Sequence, residues 1–331
     1  MSTQTLNIVI PWFRTKKRGA SLGWGALGVA IIASSTSVTF AAALAGALSP
    51  LSMLFISEAL TMLFTVLSFG LVPILSRLAR IKKQFWMPLI LIGISNSVIA
   101  PLLAFTGIRM TGPINAELFI RVEDIVLLLL AILVLGEKMK RQHIFGAVCV
   151  LFGVTIVVLR GFSQSMSLSA GDAYILIAAV FYGCGGILYK RYLHHIPPEI
   201  VVFSRTCIGL SAFFLASPFL HHTLMQELKA FPMGLVVALV GYGFVSRFLN
   251  LFCFYEAMDR MPVRTVSLLL NLGIIVSIAF ANIYLGSPIE AFHIAGAGFI
   301  LIGSVLMELE CFSRHKIHFA AHLKHKHRSH V

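Results

Sequence analysis

Charge is what this chain has least of. Asp, Glu, Lys and Arg make up 12% of its 331 residues, against about 25% in a typical soluble domain, and that excludes an ordinary water-soluble globule. Acids are the scarcer sign, 13 against 26 Lys and Arg. There are five cysteines, Cys149, Cys184, Cys207, Cys253 and Cys311. None forms a CxxC pair, so a disulfide scaffold or thiolate metal centre is not expected, and buried thiols are. No HExxH helix and no nucleophile elbow occurs, which removes the commonest hydrolase signatures. No segment alternates with a period of two, as the strands of a membrane barrel would. The basic residues form no single stripe or groove, so the net charge of +13 does not point to nucleic acid.

What is present is apolar length. Hydrophobic residues are 58% of the chain and the mean hydropathy is +0.91. Ten apolar stretches, each near the ~20 residues that cross hydrocarbon, fall at 21–45, 51–75, 86–107, 114–135, 142–160, 172–189, 199–220, 232–257, 263–285 and 288–308. With the N-terminus in the cytoplasm, only Arg109, Arg160 and Lys229 lie outside, and Arg121, Arg205 and Arg247 lie within spans. All remaining Lys and Arg residues fall on the cytoplasmic side, as the positive-inside rule requires. Both termini are therefore expected in the cytoplasm, as basic segments (1–20 and 311–331) on the lipid surface. The His-rich tail (His315, His318, His322, His325, His327, His330) matches no closed metal site.

The ten spans contain a repeat. Leu135-Gly136-Glu137, His143-Ile144, Gly146 and Gly153 recur as Leu285-Gly286-Ser287, His293-Ile294, Gly296 and Gly303, each 150 residues on. Pro50, Ser57 and Glu58 correspond to Pro197, Ser204 and Arg205 at an offset of 147. Five spans per copy is an odd number, so the second copy is inverted in the membrane. The expected fold is an all-α polytopic membrane protein with ten transmembrane helices in two inverted five-helix repeats (21–160 and 172–310, joined by an external linker at 161–171). Inverted repeats are an architecture of secondary transporters, with the substrate held between the copies.

A fourth helix ending in Leu-Gly-Glu (Leu135 to Glu137), followed by a glycine-rich fifth helix through Gly146 and Gly153, resembles the EamA-like branch of the drug/metabolite transporter superfamily. The second copy carries Ser287 where that family often has Glu, and the first carries Glu58 where it often has Arg. The resemblance implies ten helices, a central cavity and movement of small organic solutes such as amino acids, S-adenosylmethionine, nucleotide sugars or drugs.

Charges inside hydrocarbon are costly and mark pathways or partners. Glu117, Arg121 and Asp124 share one helical face at i, i+4 and i+7, with Glu123 beside them. Glu58, Arg205, Arg247 and Glu256 lie in other spans, and Asn96 and Asn271 lie near the centres of the third and ninth. Arg121 can neutralise Glu117 or Asp124, and Glu58 can meet Arg247 across the repeat interface. Five intramembrane acids then face three bases, which leaves acids over for a proton or a cationic substrate. Arg205 and Arg247 can hold a carboxylate. Phe119, Phe181, Tyr182, Tyr242, Phe248 and Tyr255 are candidate aromatic walls, Phe119 through sharing the face of Glu123. The glycine run Gly183-Cys184-Gly185-Gly186 reads as tight packing, with Ser34-Ser35-Thr36-Ser37 as its counterpart in the first span.

The substrate-binding set expected is therefore Glu58, Asn96, Glu117, Phe119, Arg121, Glu123, Asp124, Tyr182, Arg205, Arg247 and Asn271. The function expected is secondary transport of an amino acid or derivative, such as S-adenosylmethionine, across the bacterial inner membrane. Efflux of lipophilic cations is the alternative and a membrane-embedded enzyme the distant one. The partners expected are a small-molecule substrate, the lipid bilayer, a proton or counter-substrate, and a second copy in a homodimer packed through the paired glycines. No cofactor or metal is expected.

Overall fold

A computed structural model of the protein describes residues 19–135, 141–159, 169–193, 195–219, 224–261, 266 and 269–308. The basic N-terminal segment, Glu137, most of the linker and the His-rich tail lie outside the described residues. Among those described there is no strand, and the helices gather into ten spans. The first is Gly19–Ser35 with Ser37–Ala45; the second Pro50–Phe69; the third runs from Trp86 to Met110; the fourth is Pro113–Ile120 with Val122–Leu135; the fifth Arg141–Val158. The sixth is Ala170–Leu188, prolonged by Tyr189–Leu193; the seventh Pro198–Ala216; the eighth runs from Val236 to Arg260; the ninth contains Gly273–Leu285; the tenth is Ala291–Glu308. Six of these helices are long and apolar enough to cross a membrane unaided, and three more are shorter apolar helices.

Local chemistry explains the boundaries. Pro50, Pro113 and Pro198 open their helices, where a missing N–H costs nothing. Ser169 and Asp172 close a reciprocal capping box at the start of the sixth span. The second span stops at Phe69 rather than 75, because Gly70 takes a positive φ of 78°. That conformation favours glycine, and it turns the chain into a short helix, Leu71–Leu78, whose Leu71, Val72 and Leu75 are exposed while Ile74 is buried. Large apolar side chains such as Leu133, Val237 and Ile283, each about 80% exposed, form a surface that is stable only against lipid.

Span pairing repeats the sequence symmetry. The fifth packs on the tenth and the second on the seventh, while the first–eighth contact has its counterpart in the sixth–third contact. Exchanging the two copies maps this set of contacts onto itself. Because each copy has an odd number of spans, equivalent helices run in opposite directions. The fifth–tenth seam is built on the recurring glycines: a Cβ on Gly303 would lie 2.5 Å from the carbonyl oxygen of Gly146, and one on Gly153 would lie 2.7 Å from that of Gly296. These glycines bring two helices of one chain together, so they give no support to a homodimer. The Gly183–Gly186 run stays helical and packs tightly, as expected, a Cβ on Gly183 meeting Val126 at 2.8 Å.

The seam makes a direct prediction. Gly303→Ala forces backbone apart and should cost about 1–3 kcal/mol, seen as a lower melting temperature of the detergent-solubilised protein. Gly298→Ala, on the same helix with nothing within 4 Å, should leave it unchanged. Equal melting temperatures for the two variants would contradict the packing described.

Candidate functional site

The helices are irregular where they converge. The first span breaks at Thr36 (φ −88°, ψ −12°), and the fourth turns at Arg121, whose N–H bonds back to Leu118. The third and eighth widen into π turns at Ser95–Ile99 and Tyr242–Leu249, and the sixth does so at Tyr189–Leu193. Such distortions occur at depth only where the backbone is buried in protein or lines a cavity. Here they surround a central cavity of about 340 Å³. Each contributes to its wall: Ser34 and Ser37, Arg121, Asn96, Ser246 with Arg247, and Tyr189 with Lys190. None of these breaks was legible in the hydropathy pattern.

Four arginines hold acids, all but the exposed Arg77 with largely buried side chains. Arg247 forms an ion pair with Glu58, which is fully buried, and the two join the second span to the eighth across the repeat interface. Arg121 pairs with Glu117 and donates to Asn271 Oδ1 at 3.4 Å. Arg260 Nε donates to Glu256 Oε1 at 2.6 Å. Arg77, at the end of the short Leu71–Leu78 helix, pairs with Glu199 at the start of the seventh span. The expected surplus of acids is thus smaller than the sequence suggested. Arg260 belongs to the eighth helix rather than to a loop, and it meets Glu256 one turn away.

Arg205 differs. It occupies the position equivalent to Glu58, lines the cavity and is 3% exposed. It donates from Nε to Ser97 Oγ (3.1 Å), from Nη1 to Tyr255 OH (3.0 Å) and from Nη2 to the backbone oxygen of Asn96 (2.8 Å). All three acceptors are neutral; no carboxylate accepts from it directly among the described residues, and the nearby Glu58, which acts on it electrostatically, is paired with Arg247. The Asn96 carbonyl is open to it for a chain reason. In the π turn Ala100 bonds to Ser95 five residues back, so the register assigns Asn96 to residue 101, which is proline and has no N–H.

Seven expected residues therefore line the cavity: Asn96, Glu117, Arg121, Glu123, Tyr182, Arg205 and Arg247. Glu58 lies behind Arg247, and Asn271 is buried against Arg121. Phe119 does not line the cavity. The turn at Arg121 breaks the helical register that would align it with Glu123, and it is buried in the main hydrophobic core. Asp124 lies on the helix Val122–Leu135, with its side chain outside the described residues. Of the other aromatics, Tyr242 and Tyr255 reach the wall, while Phe181 and Phe248 do not. Sequence reasoning missed Phe105, Tyr189, Phe254, Ser246 and Lys190. It placed Lys190 in a loop, whereas the π turn extends the sixth helix past it. Tyr189 packs against Tyr255 with tilted rings, centroids 4.5 Å apart.

The model of the EamA-like transporter family matches residues 21–159 and 169–309. The chain belongs to that family. It is 25% identical over 206 residues to an uncharacterized transporter, YyaM, of Bacillus subtilis, covering 61% of this chain and 66% of that one. It is also 25% identical over 208 residues to a probable amino-acid metabolite efflux pump of Salmonella typhimurium, covering 60% and 69%. With a Methanothermobacter thermautotrophicus transporter it shares 25% over 216 residues, covering 63% of this chain and 61% of the relative's length. The chain thus spans less than two thirds of the length of the first relatives it matches, and slightly more of the Salmonella pump. A solved structure described only as "Crystal structure of protein" superposes with a TM-score of 0.62, over 91% of this chain and 99% of the other, at 16% identity. That likeness bears on the fold alone. This EamA-like protein is accordingly an all-α polytopic membrane protein.

The buried pair yields a prediction. Removing one partner of a buried ion pair costs about 3–5 kcal/mol, whereas replacing both by apolar groups can be near neutral. Arg247→Leu should sharply lower the yield of folded protein on size exclusion, and Glu58→Leu combined with Arg247→Leu should recover most of it. A double variant no better than the single would contradict the pairing.

Proposed function

We propose that this EamA-like protein is a secondary transporter that exports a small carboxylate-bearing polar metabolite, an amino acid or amino-acid derivative. It would work by alternating access about the central cavity, in a bacterial inner membrane with both termini cytoplasmic. The observation that carries the reading is Arg205, a guanidinium in the cavity wall held only by neutral acceptors. Glu58 lies within electrostatic reach of Arg205 but forms its ion pair with Arg247, so Arg205 has no carboxylate bound to it directly and favours an anionic ligand; the planar guanidinium fork matches a carboxylate. Two relatives of the chain are called probable amino-acid metabolite efflux pumps, which agrees with this class and suggests the direction.

The case for a cationic substrate is narrower. Glu58, Glu117 and Glu256 are each held by an arginine, so the excess of acids that favoured a sulfonium no longer selects it. S-adenosylmethionine stays in the class through its own amino-acid carboxylate. Phe105, Tyr182, Tyr242 and Phe254 give the cavity an aromatic wall suited to an apolar substrate side chain.

Counterflow in liposomes tests the reading without knowledge of the coupling ion. Liposomes loaded with unlabelled phenylalanine, methionine or S-adenosylmethionine should accumulate the matching radiolabelled compound saturably. Arg205→Ala should lower that accumulation at least about tenfold, the scale of one lost charge-assisted bond. Arg205→Lys, which keeps the charge and loses the fork, should fall between. Equal counterflow of tetraphenylphosphonium, indifferent to Arg205→Ala, would favour the lipophilic-cation alternative and overturn the proposal.

A further inference from the structure

One set of helix contacts breaks the exchange symmetry of the two copies. Consecutive spans cross in opposite directions, so the end of the first span, the end of the third and the start of the fourth share one face. There the segment Ser37–Ala45 of the first span packs on Ala100–Met110 and on Pro113–Ile120. The repeat calls for an equivalent contact at the opposite face, between the end of the sixth span and the eighth and ninth. Among the described residues the sixth makes no packing of comparable extent with either; what meets there is the ring of Tyr189 with that of Tyr255. The cavity wall shows the same asymmetry. Ala41 and Phe105, which line it from the first and third spans, are 4% and 6% exposed. Their counterparts 149 residues on, Lys190 and Phe254, also line it and are half-buried, as are Asn250 and Leu251. The wall is covered at the first face and less covered at the second.

Equivalent copies that face opposite ways can each make, at their own face, the contact the other makes. Resting on the transport reading above, we propose that Ser37–Ala45 is a closed gate at the Ser49 face, that the cavity is open at the Lys190 face, and that substrate passes when the copies exchange these roles. In the exchanged state residues 186–193 close on the eighth and ninth spans, so that Lys190 stands to Phe254 as Ala41 now stands to Phe105. Each gate has a place to bend: the first span is interrupted at Thr36, and the π turn Tyr189–Leu193 lies within the second gate. The gates are unequal in one residue. Closing the second carries the Lys190 ammonium into a contact that the first makes with the Ala41 methyl group, which favours the state seen here. On the orientation proposed above the closed face is external and the open one cytoplasmic, the state in which an exporter loads.

Sidedness of chemical access tests the gates. Ser34 lies in the cavity wall, and Ser34→Cys adds one thiol to the full chain with little change in size. A membrane-impermeant methanethiosulfonate is applied to right-side-out or inside-out vesicles, and labelling above that of the parent chain is read by mass spectrometry. The thiol should react about tenfold or more faster from the Lys190 face, the ratio set by a minor state populated at about 10% or less. In the same background Lys190→Ala should raise labelling from the Ser49 face severalfold and lower it from the other, while Lys190→Arg should keep the original ratio. Ala41→Lys, which places the same charge in the first gate, should shift access in the same direction as Lys190→Ala. Equal rates from the two faces in the Ser34→Cys chain, faster labelling from the Ser49 face, or a ratio indifferent to Lys190→Ala overturns the gate assignment. Phenylalanine counterflow in the same preparation separates this from the transport reading. Sided labelling without counterflow of any amino acid overturns that reading and leaves the gates standing; counterflow with unsided labelling does the reverse.

Discussion

A charged side chain at the depth of hydrocarbon has to find its counterpart inside the protein, and the Glu58–Arg247 pair shows what that constraint does to this fold. Glu58 comes from the first copy and Arg247 from the second, so neither copy can bury its charge alone. The pair commits the second and eighth spans to one another. Its symmetry-related contact, between the seventh span and the third, is built differently. Arg205 replaces the acid, and the groups facing it are Ser97, a carbonyl and Tyr255. One of the two equivalent contacts is therefore an ion pair, and the other is made of neutral acceptors, so that the single acid Glu58 lies in the field of two arginines and pairs directly with one of them. The repeat supplies the architecture, and the departure from the repeat at Glu58 and Arg205 supplies the chemistry.

The cavity itself follows from imperfect helices. A regular helix satisfies its own backbone and presents only side chains, so ten regular helices could close on each other. The breaks at Thr36 and Arg121 and the three π turns instead free polar groups around the cavity. These groups are tolerable only where they meet one another or a ligand. Pro101 illustrates the link from one residue to the site: it removes an N–H, the Asn96 carbonyl loses its helical partner, and Arg205 takes it. The fifth and tenth spans lie away from this, locked through glycine, which leaves the irregular spans as the part of the bundle where polar groups gather.

Much of this was legible in the sequence. The offsets of 147 to 150 residues carried the two copies, the scarcity of charge carried the membrane, and the fourth-helix motif carried the family. That Glu58 can meet Arg247, and that Arg121 can meet Glu117 or Asp124, followed from the cost of burying charge; that Arg121 pairs with Glu117 did not. The breaks were not legible. Hydropathy averages over a window and is blind to one turn at Arg121, so Phe119 was aligned with Glu123 on a register the chain does not keep. Lys190 and Arg260 were assigned to loops because their charge ended an apolar stretch, although both helices continue through them. That Gly185 takes the Asn96 amide against it had no sequence signature beyond a glycine run, because the amide comes from another span.

The central claim is that Arg205 meets a substrate carboxylate in the cavity between the two copies. A structure of the protein with bound phenylalanine tests it most directly. The account predicts ligand density in the cavity, with the carboxylate oxygens about 2.7–3.0 Å from the two Nη atoms of Arg205 and the Glu58–Arg247 pair intact behind it. Ligand density elsewhere, or a ligand in the cavity with its carboxylate turned away from Arg205, would contradict it.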